Sequence, residues 1–447
     1  MPRTPADVPL RPLARIGDKA GSDRSIPSAV VPLSKKKSYE ITLLASGVLD
    51  VVKRLKYKPG KWDIWMLGIT IVIGGQYFSW NVGLAAGLYS CLICYILIAS
   101  AYVTLCCCAS GITGALPFAG GAYGLARGTL GFLPAFLIGC CEALEYIVCF
   151  MQVLPLGCWF FVGVEALNLA SDQVEQPKRM VPFGQMMCVL TLVVSGIFVF
   201  FVTVSLPPGI NVLPTELVPF NNGFEPLFNM SQTNATILSL PATYATAFGF
   251  IWCYGKLIAA MATSQLLPVF LARTSKSGTP YMAIAVGSTL SYIICLIVYF
   301  VPTVSKCLFN ICITAAFMSY TGQCVGYIAL KKNYRNIKSS HFHSPFGIGG
   351  ALYSMVIWIL YIISIIGFQG NGGQEIMVCS IVVILLTVYY FAWARKRQTF
   401  SPQENKIMLV AHVMKFNVRR SMSSGTNLRK SIASTKTRST AFSTRQC

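Results

Sequence analysis

Charge is scarce in this 447-residue chain. Asp, Glu, Lys and Arg together make 11% of it, where a soluble protein carries roughly a quarter. That scarcity excludes an ordinary water-soluble enzyme. Carboxylates are scarcer than bases, 15 against 36, and histidine occurs three times, at 341, 343 and 412. No loop holds a nucleophile–base pair or a metal-ligand constellation, so neither enzyme chemistry nor a bound metal is expected. Residues 1–38 hold no apolar run, so no cleavable signal is expected and the first apolar segment inserts as its own signal.

The chain is instead rich in apolar residues, at 54%, and carries a formal net charge of +21. Taken alone, that charge points to a nucleic-acid partner. Its distribution excludes one. Residues 1–62 hold 13 basic and 5 acidic residues, and 395–447 hold 12 and 1; the 332 residues between them hold 11 and 9. The bases sit on two tails and the middle is nearly neutral, which predicts an all-α polytopic membrane protein whose tails meet anionic lipid. Three parts follow: a basic tail over 1–62, a transmembrane domain over 63–395, and a basic Ser/Thr-rich tail over 396–447.

About 20 apolar residues in helix span the hydrocarbon. Runs of that kind lie at about 63–83, 86–109, 132–152, 155–171, 183–206, 241–262, 281–301, 307–330, 348–368 and 375–395. The third and fourth are joined by a very short turn, Gln152–Pro155, and could be read as one long helix. Charge sorting favours two. With ten spans and both termini cytoplasmic, nine loop bases fall inside (Arg127, Lys178, Arg179, Arg273, Lys276, Lys331, Lys332, Arg335, Lys338) and one outside, Lys306. The same orientation exposes loop 207–240 to the lumen or exterior, with sequons at Asn229-Met230-Ser231 and Asn234-Ala235-Thr236. Plasma membrane and internal, vacuolar or other endomembrane locations remain equally open.

Most of the 17 cysteines fall in apolar spans, where Cys behaves as a small hydrophobe. Ser401-Pro402-Gln403-Glu404 reads as a capping box opening an interfacial amphipathic helix over about 402–418. Beyond it, 415–447 hold 8 basic residues and 12 Ser/Thr, a composition expected to be disordered. Arg419-Arg420-Ser421-Met422-Ser423 matches a basophilic kinase site at Ser421 and Ser423.

Two spans carry unusual interiors. Ile73-Gly74-Gly75-Gln76 puts paired glycines and an amide at mid-depth in the first. Gly163-Val164-Glu165 puts a glycine and a carboxylate in the fourth. Close packing is one reading of such glycines. The other is a pair of interrupted helices forming a transport site, where half-helix N–H groups meet an anion and freed carbonyls meet a cation.

Glu165 is followed by Glu175-Gln176-Pro177-Lys178-Arg179-Met180-Val181-Pro182, and a second motif closes at Gly278-Thr279-Pro280 after Pro268-Val269-Phe270-Leu271-Ala272-Arg273. Trp80–Gly87 and Pro117–Tyr123 add two more. In this order the motifs resemble the amino acid–polyamine–organocation transporters, most closely the ethanolamine-permease-like branch, over about 60–395. Gln176 stands where the family pattern has Asn, and Val181 where it has Ile. The resemblance implies a leucine-transporter-like inverted-repeat fold and alternating-access transport of amino acids or small amines. The family has twelve helices; here the segment with Glu142 and Glu145 runs straight into the one resembling the family's sixth, so the fourth and fifth are missing. A polyamine or ethanolamine permease, a non-transporting nutrient sensor and an inactive truncated isoform are the alternatives.

The resemblance further implies that backbone groups of Ile73, Gly74 and Gly75, beside Gln76, bind the substrate's carboxylate or hydroxyl. The Phe161 and Val162 carbonyls at Gly163 would take its ammonium, and Trp159 would stack over it. Glu165, with Glu145 and Lys256, is expected to have a gating or proton-linked role, because an unpaired charge at mid-membrane costs roughly 2.5–3.5 kcal/mol. Glu142 and Glu145, three apart on one helical face, are expected to pair with Lys256 or leave it to snorkel. No cofactor is expected, and the coupling ion, proton or sodium, stays unassigned.

Overall fold

A computed structural model describes residues 59–409 and 413, except 79, 150–159, 208, 276, 334–340, 369–373, 401–403 and 406. Every regular element among these is helical. That is the expected outcome for apolar runs in lipid, where a helix satisfies its own backbone groups.

The first apolar run does not form one helix. Helix α1 (Lys61–Val72) starts where the Gly60 N–H donates to Asp63 Oδ2 at 2.6 Å. It stops where the Gly74 N–H leaves the helical ladder and donates to Thr246 Oγ1 at 2.7 Å. A four-residue helix, α2 (Gly74–Tyr77), and a 3-10 helix, Trp80–Ala86, carry the chain on. Next come α3 (Leu88–Ala115), α4 (Gly121–Thr129) and α5 (Phe132–Cys149). Phe160 to Gly163 form a turn, and Val164–Asp172 a 3-10 helix. Helix α6 (Pro177–Ser205) opens with proline at its first position, where no N–H is needed. Two short helices, α7 (Asn221–Phe228) and α8 (Gln232–Ile237), fold loop 207–240. The remainder is α9 (Leu240–Thr263), α10 (Tyr281–Phe300), α11 (Pro302–Asn333), α12 (Gly347–Phe368), α13 (Gln374–Ala392) and a last 3-10 turn, Ala394–Lys396.

Seven stretches among the described residues are long and apolar enough to cross a bilayer: 88–115, 177–205, 232–263, 281–300, 311–333, 347–364 and 377–396. They coincide with seven of the ten expected spans. Of the other three, the first is interrupted, and the third and fourth run into residues outside those described. Helix α1 has 12 residues, about 18 Å at 1.5 Å each, and needs its broken continuation to span. Helix α5 reaches Cys149, beside the residues that are not described, and the described part of 155–171 is turn and 3-10 helix. The tight turn at Gln152–Pro155 and the ring of Trp159 lie outside the described residues.

The irregular segment Val164–Asp172 sits at the centre, packed by α1, α3, α4, α6 and α9. Val164 to Ser171 are all buried. Side-chain amides and hydroxyls hold this backbone in place of a regular ladder. Thr113 donates to Asn168 Oδ1 (2.8 Å), Asn168 Nδ2 to the Glu165 carbonyl (2.9 Å), and Ser110 to Gln185 Oε1 (2.9 Å). The outermost helices show the converse pattern. On α10 and α13, Tyr292, Phe300, Ile384 and Leu385 are exposed, apolar surface suited to lipid.

Outside the bundle, Asn81 Nδ2 donates to the carbonyls of Leu213 (2.6 Å) and Glu216 (2.7 Å), tying loop 207–240 to the start of α3. Asn229 caps α7 in the left-handed region (φ 48°), and both Asn229 and Asn234 are exposed. Of the helix expected over about 402–418, residues 404, 405, 407–409 and 413 are helical. Ser421 and Ser423 lie outside the described residues.

Candidate functional site

The two interruptions singled out in the sequence meet in space. Gly163 has φ +101°, a conformation L side chains rarely adopt, and a Cβ there would stand 2.6 Å from Ile71 Cγ2. The break at Gly74 is as tight, since a Cβ would lie 2.7 Å from Thr246 Oγ1 on α9. Small residues are required at both positions because side chains of Thr246, Ile71 and Val72 already fill the space a Cβ would take.

The sequence-selected residues other than Trp159 take the following places. Gly74, Gly75 and Gln76 are buried beside α9, with the Gly74 N–H engaged by Thr246. The Ile73 carbonyl accepts from the Gln76 N–H at 3.1 Å, and Gln76 Nε2 donates to Ser195 Oγ at 2.7 Å. Phe161 and Val162 are buried in the turn, where the Phe161 carbonyl accepts from the Val164 N–H at 3.2 Å. The Phe161 ring stacks on Tyr102, 5.3 Å between centroids, which in turn meets Trp358 and Tyr320 edge-on.

Behind the turn lie three carboxyl groups. Glu142, Glu145 and Glu165 have at most 1% exposure each. Tyrosine hydroxyls bridge them. Tyr146 is within bonding distance of Glu142 Oε1 (2.9 Å) and Glu165 Oε1 (3.3 Å), and Tyr320 donates to Glu145 Oε1. Glu165 Oε2 also accepts from the Gly163 N–H at 3.2 Å, which couples the carboxylate directly to the interrupted backbone. Glu142 lies at the N-terminal end of α4, where the Ala122 N–H points at Oε1 (3.5 Å) and the helix dipole favours an anion. Sequence reasoning did not single out Tyr146, Tyr320 or Thr246. Tyr146 was within reach, four residues after Glu142 on one helical face; the other two come from helices 100 or more residues away.

The expected pairing of Lys256 with Glu142 or Glu145 is corrected. Lys256 Nζ pairs instead with Asp172 Oδ2 at 3.0 Å, at the end of the central segment, and its side chain is 13% exposed. The reason is depth: Lys256 lies two turns before the end of α9, level with the last residue of Val164–Asp172, whereas the glutamates are level with its start. In a double-mutant cycle, D172N and K256M are expected to couple by about 1 kcal/mol. E142Q and K256M should show no coupling, read as thermal unfolding in detergent.

The geometry defines a class: an integral, multi-pass, all-helical membrane protein built around two interrupted segments that touch at mid-bundle. The Amino acid permease family profile matches residues 146–405, more than half of the chain. The chain belongs to that family, whose fold accounts for the architecture. L-asparagine permease of Escherichia coli (strain K12) is 23% identical over 253 residues, 53% of this chain and 48% of that protein. The L-asparagine permease of Salmonella typhimurium (strain LT2) is 22% identical over 252 residues with the same coverage. The chain spans about half the length of the curated relatives it matches.

Proposed function

We propose that this chain is a secondary transporter that moves amino acids or related small amines by alternating access around the contact between Gly163 and Ile71. The observation that carries the reading is that contact itself. Two helix interruptions 90 residues apart are brought within one side chain of each other, and a buried carboxylate binds the backbone of one of them. Family membership and the likeness to L-asparagine permeases support an amino compound as the cargo. The substrate would meet the backbone of Ile73–Gly75 on one side and the Phe161–Val162 carbonyls on the other. Rearranging the Gly74–Thr246 and Gly163–Glu165 hydrogen bonds would free those groups. Glu165 is the proposed gate and proton-linked residue, because its charge state sets whether it can accept from Gly163 and Tyr146 together.

Uptake of radiolabelled asparagine, other amino acids and ethanolamine into proteoliposomes of the full chain tests this. Saturable uptake of at least one is expected. Absence of uptake for all, beside an active chain with two helices inserted after Val153, would favour the non-transporting reading. Orientation has a separate check. In a glycosylating membrane system, N229Q and N234Q should each remove one step in gel mobility, since both asparagines are exposed in the outer loop. An unglycosylated parent chain would reverse the loop assignment.

A further inference from the structure

The C-terminal tail does not simply leave the bundle after α13. Gln398 Oε1 accepts from the Tyr390 hydroxyl at 2.7 Å, and the Thr399 N–H donates to the Ser264 carbonyl at 3.1 Å. Phe400 packs on Phe132 at the start of α5, 4.7 Å between ring centroids. Glu404 then forms an ion pair with Arg127. Both charged residues are deeply buried, at 2% and 6% exposure.

Arg127 is built to receive this segment. It stands in the last turn of α4, where the helix dipole favours a cation. Its guanidinium lies between two rings, 4.9 Å from Tyr123 and 5.5 Å from Phe400, and bonds the hydroxyls of Tyr123 (2.9 Å) and Ser264. Ser264 caps α9 immediately before Gln265, which has φ +58°. One arginine thus gathers the ends of α4 and α9 and the tail, with the start of α5 joined through Phe400. The amphipathic-helix reading of the tail would turn Glu404 toward water as a cap; here it is turned into the protein.

We propose that Gln398, Thr399, Phe400 and Glu404 form a latch that closes the cytoplasmic end of the bundle, with the Arg127–Glu404 pair as its catch. Helices α4 and α9 both pack on the central segment Val164–Asp172, so an opening toward the cytoplasm must separate their ends and strip Arg127 of its partners. A buried guanidinium deprived of its carboxylate is strongly disfavoured. The closed inner end is therefore stabilised as long as the tail is seated. The consequence for transport rests on the alternating-access reading; the latch itself does not.

The test uses the full chain in oriented vesicles, carrying S264C as a reporter labelled by a membrane-impermeant maleimide from the cytoplasmic side, with labelling at position 264 read from its own peptide by mass spectrometry apart from the native cysteines. E404Q is expected to speed labelling roughly tenfold, the shift that loss of one buried ion pair can produce. The charge exchange R127E/E404R should return the rate toward that of the parent. Equal rates in parent and E404Q, or an exchange as fast as E404Q, would overturn the latch. Because misfolding of E404Q would also speed labelling, a second arm keeps the tail's sequence near native. An F132C–F400C disulfide, identified by mass spectrometry, should form on oxidation and slow reporter labelling until reduced. Failure of that cross-link to form, or labelling indifferent to it, also overturns the proposal. Uptake absent from every variant, with the labelling response intact, would remove the transporter reading and leave the latch standing.

Discussion

Replacing Gly163 by alanine is expected to abolish uptake and to lower stability by about 2–5 kcal/mol. The left-handed backbone costs a non-glycine residue roughly 1–2 kcal/mol, and forcing one extra carbon into a packed interior adds typically 1–3 kcal/mol. Here the new Cβ meets Ile71 Cγ2 at 2.6 Å. The two contributions separate experimentally. The double variant G163A/I71A removes the overlapping methyl and should recover stability only in part, because the φ of +101° remains. Full recovery of melting temperature in the double variant would mean that crowding alone had dictated glycine. Unimpaired uptake in G163A would show that this turn is not part of the transport cycle.

The second large effect concerns Glu165. E165Q keeps the shape and one acceptor but not the charge, so the Gly163 N–H and Tyr146 hydroxyl face a weaker partner. Hydrogen bonds to charged groups are worth about 1.5–3 kcal/mol, so uptake should fall roughly 10- to 100-fold. The diagnostic is the pH profile. If Glu165 carries the proton-linked step, the parent's uptake depends on pH and that of E165Q is flat. A pH-dependent profile retained in E165Q, or unchanged uptake at every pH, would transfer the role to Glu142 or Glu145 or dismiss it. E165A should be more damaging than E165Q, since it leaves the buried Gly163 N–H with no acceptor, while the Tyr146 hydroxyl keeps Glu142.

How far the site was legible differs residue by residue. Gly74 and Gly163 stood out because paired glycine and polar residues inside an apolar run need a reason, and the lipid allows few. Glu165, Glu142 and Glu145 stood out on the same ground, the cost of a carboxyl at mid-membrane. Their partners did not. A period of 3.6 residues tells which side chains share a helix face, but not which neighbouring helix that face meets. Tyr320 and Thr246 are contributed by α11 and α9, and nothing local marks them as partners of Glu145 and Gly74. Lys256 shows the same limit from the other direction. Its sequence setting named the only span-borne base and offered two carboxylates, yet relative depth gave it a third, Asp172.

The scarcity of charge with which the chain presents itself has a matching division. By itself the sequence determined the class, because transfer of each residue between water and hydrocarbon is a property of that residue and sums along the chain. Seven of ten spans followed from that sum, as did family membership from the order of motifs. Only the tertiary structure decided how the few buried charges are satisfied: tyrosines bridging three glutamates, Asp172 holding Lys256, and Glu404 returning from the tail to Arg127. The physical reason is range. Partition into lipid is local and additive, whereas a buried charge is stabilised only by groups within about 3–4 Å of it, and the chain brings those groups from anywhere along its length.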